Sequence, residues 1–185
     1  MTNEELIKIN TAAHKFGHFQ LDSGIKWIRI AHKLQPRCYT RGEILLFLSN
    51  QLGLPTSTLS LADEKYYVET WSKWIPIIDY DLIDQQVYLS DIRDCDNFAA
   101  MYSARASFIY GLNSCGLAYG NIYDLLTKKL LFRHAFNLII YHENGALKLR
   151  LYEPQTDSSI EWRKGQSNVI PQLKWEYRPD WVLLQ

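Results

Sequence analysis

The sequence predicts an α+β fold on three observations: helical periodicities fill its first half, a run of strict two-residue alternation begins at His134, and an Asn-Gly pair follows at hairpin spacing. At 185 residues, 47% hydrophobic and 22% charged, the chain has the composition of a folded domain with a sizeable core. Lys+Arg and Asp+Glu number 20 each, so no net field exists to hold nucleic acid or an anionic membrane, and neither is expected as a partner. No apolar run approaches the roughly 20 residues that span a bilayer. The opening MTNEELIKIN lacks the basic-then-apolar layout of a signal peptide, so a cytoplasmic or host-cell interior is the expected location. Cys38, Cys95 and Cys115 are odd in number and form no C-x-x-C pair, which reads as reduced thiols.

Leu6, Ile9, Ala13 and Phe16 recur at helical spacing and predict a first helix over 4–19, ended by Gly17 and the turn around Asp22. Residues 25–34 fit a helix or a strand, stopped at Gln35-Pro36 because a residue before proline avoids the helical region. Thr40 followed by Glu43 is a capping box that opens a helix through Leu52, closed by Gly53 and Pro55. Tyr66, Tyr67, Thr70 and Trp74 suggest a further helix over 63–74, and the Pro76-containing stretch 75–90 reads as an extended loop. Asp94 is suited to cap a helix whose stripe is Phe98, Ala99, Tyr102, Ala106 and Ile109, with Gly111 at its end.

After a small-residue stretch read as a loop (GLNSCGLAYGN, 111–121), alternation puts His134, Phe136, Leu138 and Ile140 on one strand face and Ala135, Asn137, Ile139 and Tyr141 on the other. Asn144-Gly145 turns the chain, Leu147, Leu149, Leu151 and Glu153 share a face on return, and Pro154 stops the strand. The expected organisation is an N-terminal helical region, 1–60, packed on a core, 61–185, that forms a single compact unit.

Chemistry concentrates where these elements meet. Cys95 falls in the first turn of its helix, where unpaired N–H groups and the positive helix end favour a thiolate, while the flanking Asp94 and Asp96 oppose it. A four-residue hairpin loop sets His134 opposite Glu153; a two-residue loop sets it opposite Gln155 with Glu153 as the diagonal neighbour on the same face. Either register pairs an imidazole with a carboxylate that would be costly to bury alone, and Asn137 faces away. Cys95, His134 and Glu153 thus suit nucleophile, base and orienting carboxylate. Asp91, Asp94 and Asp96 offer oxygen ligands for calcium, without the glycine and distal glutamate of an EF-hand loop, and fit equally as solvated residues of a helix start.

The segments DCDNFA around Cys95, RHAFNLIIY around His134 and LYEPQTD around Glu153 together resemble the papain-like cysteine protease domain that forms the C-terminal half of certain mushroom agglutinins, which are chimeric lectins. The resemblance spans roughly 62–157 and rests on the order of the three residues and their separations of 39 and 19. It implies a papain-like α+β fold with a long Cys-headed helix, Cys95 as nucleophile, His134 as base, Glu153 as orienting carboxylate, Gln85 or Gln86 as an oxyanion donor beside the Cys95 N–H, and support from calcium. The activity it implies is hydrolysis of peptide or amide bonds in a peptide or protein substrate, that of a thiol protease. The other class compatible with these residues is a binding or structural module, part of a larger particle, that keeps the fold without turnover.

Overall fold

The computed structural model describes residues 33–89 and 94–184. The predicted helix over 4–19, almost all of the helix-or-strand segment 25–34, and Asp91 lie outside them. Of the described residues, 41% lie in strands and 28% in helices. This corrects the papain-like α+β arrangement expected from the sequence: one large sheet dominates, and the helices are laid against it.

The chain runs through β1 (Arg37–Thr40), α1 (Arg41–Leu52), a 3-10 turn (Thr56–Thr58), β2 (Leu59–Leu61), β3 (Lys65–Val68), α2 (Trp71–Tyr80) and α3 (Cys95–Tyr110). It continues through β4 (Cys115–Asp124), β5 (Leu130–Glu143), β6 (Ala146–Glu153), β7 (Ser158–Glu161), β8 (Val169–Ile170) and β9 (Trp175–Leu184). The large sheet has the order β2-β9-β4-β5-β6-β7 with β8 pairing β9, and β1 pairs β3 in a separate ribbon. All neighbours are antiparallel except β2 with β9.

The two faces of the central strands build two cores, as their period of two requires. Phe136, Leu138 and Ile140 of β5 pack with Leu149 and Leu151 of β6, Tyr177 of β9, Ile44 and Leu48 of α1 and Tyr66 and Val68 of β3. On the opposite face, Ile139, Tyr141 and Tyr152 receive Trp74 and Ile77 of α2 and Phe98, Tyr102 and Ala106 of α3. None of the described helices is long and apolar enough to cross a membrane.

Local signals explain the elements that match expectation. Thr40 and Glu43 form the capping box of α1, and Gly53 closes it at φ 71°. Gly111 closes α3 at φ 66°, where a Cβ would be strained. The β5–β6 turn is the two-residue form: Glu143 pairs with Ala146, and Asn144 and Gly145 both take positive φ.

Three elements differ from expectation. The helix expected over 63–74 is strand β3 followed by α2, because Tyr66 and Val68 alternate inward and pairing with β1 overrides the helical spacing. The loop expected over 75–90 begins as helix to Tyr80; Pro76 forfeits one backbone bond, which the burial of Trp74, Ile77 and Ile78 offsets. The stretch 111–121 contains most of β4, a central strand. Its glycines serve close approach: a Cβ on Gly120 would lie 2.7 Å from Pro179 Cα, and one on Gly116 would lie 2.9 Å from the Leu183 carbonyl oxygen.

Candidate functional site

The last β5–β6 pair joins Asn137 to Tyr152, so His134 lies three residues beyond the end of that ladder, on the stretch of β5 that β6 no longer pairs. On its other side Gly120 of β4 pairs with His134. The two-residue turn makes Glu153 the diagonal neighbour, and the carboxylate reaches the imidazole: His134 Nε2 and Glu153 Oε2 are 2.6 Å apart. Glu153 is 1% exposed and His134 7%. Tyr177 of β9 donates a second hydrogen bond to Glu153 Oε2 at 3.2 Å, whereas Oε1 is buried without a hydrogen-bond partner.

Aromatic rings enclose the imidazole. Phe132 and Trp175 meet it edge-on at centroid distances of 5.9 and 5.8 Å, and Phe136 stacks at 6.3 Å. Burial in this apolar shell disfavours the imidazolium, yet hydrogen bonds to Cys95 and Glu153, with their charges, outweigh it and raise the His134 pKa to about 9. Burial likewise pushes the Tyr177 hydroxyl well up, with the Glu153 carboxylate adding to it, so the phenol remains a donor.

Helix α3 carries Cys95 to His134. Its stripe of Phe98, Tyr102 and Ala106 is buried against the sheet, and Asn137, on the opposite face of β5 from His134, donates to Ala99 O at 2.9 Å and to Gly116 O at 3.1 Å. That amide ties the first turns of α3 to β4 and β5 and so fixes the helix end. At the cap the Asp94 N–H donates to the Asn97 side chain at 3.1 Å. Cys95 is partly exposed, Cys38 exposed and Cys115 buried. The structure therefore brings Cys95, His134 and Glu153 together, with the thiol on the open side and the carboxylate on the buried side.

The remaining candidates sit differently. Gln85 and Gln86 are exposed in the turn after α2, and the Gln86 amide reaches back to Leu82 O at 3.5 Å; no hydrogen bond joins either glutamine to Cys95, His134 or Glu153. A hydrogen bond with Asp94 holds the Asp96 carboxyl below its ordinary range, and Tyr119 approaches Asp96 at 3.4 Å. Among the described residues no group of three His, Cys, Asp or Glu side chains is placed to hold a metal ion. Tyr177 and the rings of Phe132 and Trp175 were not singled out from sequence. The alternation of Trp175 and Tyr177 in WEYRPDWVLL was the available signal for an inward strand face, but not for which strand it would join.

No protein-family model matches the sequence. No curated protein matches it either. Several chains of solved structures share its fold, among them the following two. A PSL1a–E64 complex aligns with TM-score 0.57 at 18% identity, over 80% of this chain and 51% of that one. Polyporus squamosus lectin bound to the human-type influenza-binding epitope Neu5Aca2-6Galb1-4GlcNAc aligns with TM-score 0.56 at 18% identity, over 80% of this chain and 49% of that one. The chain thus has a mushroom lectin-like fold and spans about half the length of those chains. These neighbours are lectins, which corrects the expected assignment as a papain-like hydrolase of the cysteine protease class.

Proposed function

We propose that this chain is a ligand-binding module on a lectin-like fold, with the Cys95–His134–Glu153 cluster as the point where ligand is engaged. The observation that carries the reading is the buried His134–Glu153 pair, 2.6 Å apart, ending at a partly exposed thiol in an aromatic shell. A buried ion pair is costly to maintain for stability alone, and this one lies where the β5–β6 ladder has ended rather than in the middle of a core. At neutral pH the imidazolium offers a positive, hydrogen-bonding wall, and the rings supply apolar contact area. Lectin neighbours support binding over turnover, and the sialylated trisaccharide named with one of them is the first glycan to test.

One observation favours a second reading. Cys95 lies close enough to His134 to raise the imidazole's pKa, the arrangement in which an imidazole and a thiol exchange a proton. In that reading Cys95 Sγ attacks a peptide or amide carbonyl, the amine leaves with a proton from His134, and water releases the acyl group. The Cys95 backbone N–H, at the head of α3, then faces the developing oxyanion.

A single experiment separates the readings. The protein is incubated with E64 or with a peptide-amide library, and separately with the trisaccharide, while mass spectrometry follows Cys95 and product release. The binding reading expects saturable ligand binding, or a stoichiometric Cys95 adduct, without multiple turnover, lost in Cys95→Ala and His134→Gln. Multiple turnover dependent on both residues establishes the second reading. No adduct, no turnover and no binding removes the cluster from the function.

A further inference from the structure

At the opposite end of β5 from His134, a distance of about 26 Å at 3.3 Å per residue, an open cavity of about 640 Å³ is lined by Lys33, Arg37, Glu69, Thr70, Lys73 and His142, with Gln35 at its edge. None of these residues belongs to the Cys95 cluster. We propose that this cavity is a second binding site, selective for the oxyanion group of a small molecule, a phosphate or a carboxylate.

Three observations converge on an anion. The first is charge: Lys33, Arg37 and Lys73 bring three cationic groups to the rim against one carboxylate, Glu69. That carboxylate is 3% exposed and engaged, accepting from the Gln35 N–H at 2.6 Å and from the Thr70 N–H at 2.8 Å. It pins the 33–37 segment to the start of α2. Among the described residues neither Lys33 nor Arg37 has a side-chain hydrogen bond or an ion pair, while Lys73 Nζ donates to the Lys33 carbonyl oxygen at 3.1 Å.

The second is His142. It is 8% exposed, its backbone N–H donates to the Glu69 carbonyl oxygen at 3.1 Å, and its ring Nε2 is buried with no hydrogen-bond partner. A buried polar atom without a partner is costly, and one that lines a cavity gains its partner from whatever enters. Burial, then the nearby Arg37 charge, lower the His142 pKa against a smaller opposing effect of Glu69, so the ring is neutral near pH 7 and Nε2 can donate as an N–H.

The third is the start of α2, a ten-residue helix whose N-cap Thr70 makes no side-chain capping bond to a first-turn N–H. Its hydroxyl pairs with Ser72 Oγ at 3.1 Å, and the Glu69 carboxylate already accepts from the Thr70 N–H, so the positive end of the helix is partly offset and only adds to the field of the three cations. A bound oxyanion would accept from His142 Nε2–H at the floor and from Arg37 and Lys73 at the rim.

The test titrates the whole chain with inorganic phosphate and, separately, acetate at constant ionic strength, following the His142 ring by NMR and melting temperature in parallel. A saturable His142 shift with a rise in melting temperature is expected, and the anion that binds tighter identifies the source of the oxyanion. Arg37→Gln combined with Lys73→Gln, both on solvent-accessible side chains, should weaken binding on the order of tenfold or more, whereas Lys129→Gln, outside the cavity, should not. Cys95 alkylation measured in the same samples should not respond to phosphate, which keeps this site separate from the function proposed above. Absence of a saturable His142 shift for both anions, or equal affinity in the double variant, overturns the proposal.

Discussion

Replacing Glu153 by Gln isolates the charge at the centre of the cluster while keeping its shape. In the folded protein His134 titrates at about 9 against an ordinary 6.5, which corresponds to about 3 kcal/mol in favour of the imidazolium. Burial works against that charge, so the hydrogen bonds and charges of Cys95 and Glu153 must exceed it. A carboxylate in direct contact typically accounts for about 1 to 3 pH units of such a rise. In Glu153→Gln the amide oxygen still accepts from His134 and Tyr177, but the charge is gone, so the His134 pKa should fall by at least about one unit, equivalent to about 1.4 kcal/mol. The assay is an NMR pH titration of the imidazole carbons, with the His134 signal assigned by its loss in His134→Gln and the fold checked by near-UV circular dichroism. Alkylation of Cys95 should slow in step, because a less basic imidazole holds the thiol's proton less well. A folded Glu153→Gln protein whose His134 still titrates near 9 refutes the account, since the rise would then come from Cys95 or from elsewhere.

Because the folded His134 pKa lies above its unfolded value, its contribution to stability is complete below about pH 6.5 and is lost as pH rises through about 9. Melting temperature should accordingly fall between pH 7 and 10, and His134→Gln should flatten that decline. Burial raises the Asp157 carboxyl to about 6 despite the hydrogen bond from Tyr152, so its charge is a cost above that pH. Asp157→Asn keeps an acceptor and suits the residue's φ of 51°, and after discounting for partial exposure it should stabilise by about 1 kcal/mol near pH 7, or about 2–4 °C in melting temperature. Site-resolved alkylation should find Cys115 silent, Cys38 reactive as an exposed thiol, and Cys95 reactive in a way that His134→Gln abolishes and Cys38 does not share. Gly120→Ala would drive a methyl group into the Arg178–Pro179 backbone and should destabilise by several kcal/mol, with loss of the Tyr177–Glu153 contact seen as a changed tyrosine spectrum.

What could be read in the sequence divides along the range of the forces involved. The capping box of Thr40 and Glu43, the glycine stops at Gly53 and Gly111 and the Asn144-Gly145 turn act over four residues or fewer, so four residues suffice to see them. The pairing of His134 with Glu153 was visible for the same reason: the hairpin is local, and both even-length turns left the two side chains on one face. Strands β3 and β4 differ from the sequence expectation because their partners lie far away in sequence. The KYYV run is a strand by virtue of β1, and the Gly116 and Gly120 that read as loop signals are where β9, some sixty residues later, comes closest. The fold class follows the same rule, since a chain whose central strand β4 is hidden in an apparent loop looks richer in helix than it is. Tyr177 shows what this costs at the site. Its hydroxyl reaches the Glu153 carboxylate across a sheet in which a bulge at Asp180 shifts the register between β4 and β9; Pro179 marks that bulge within β9, but nothing there says which strand β9 joins. Residues that carry chemistry were therefore legible from their types and spacing, whereas the residue that positions them depended on a contact only the folded sheet creates.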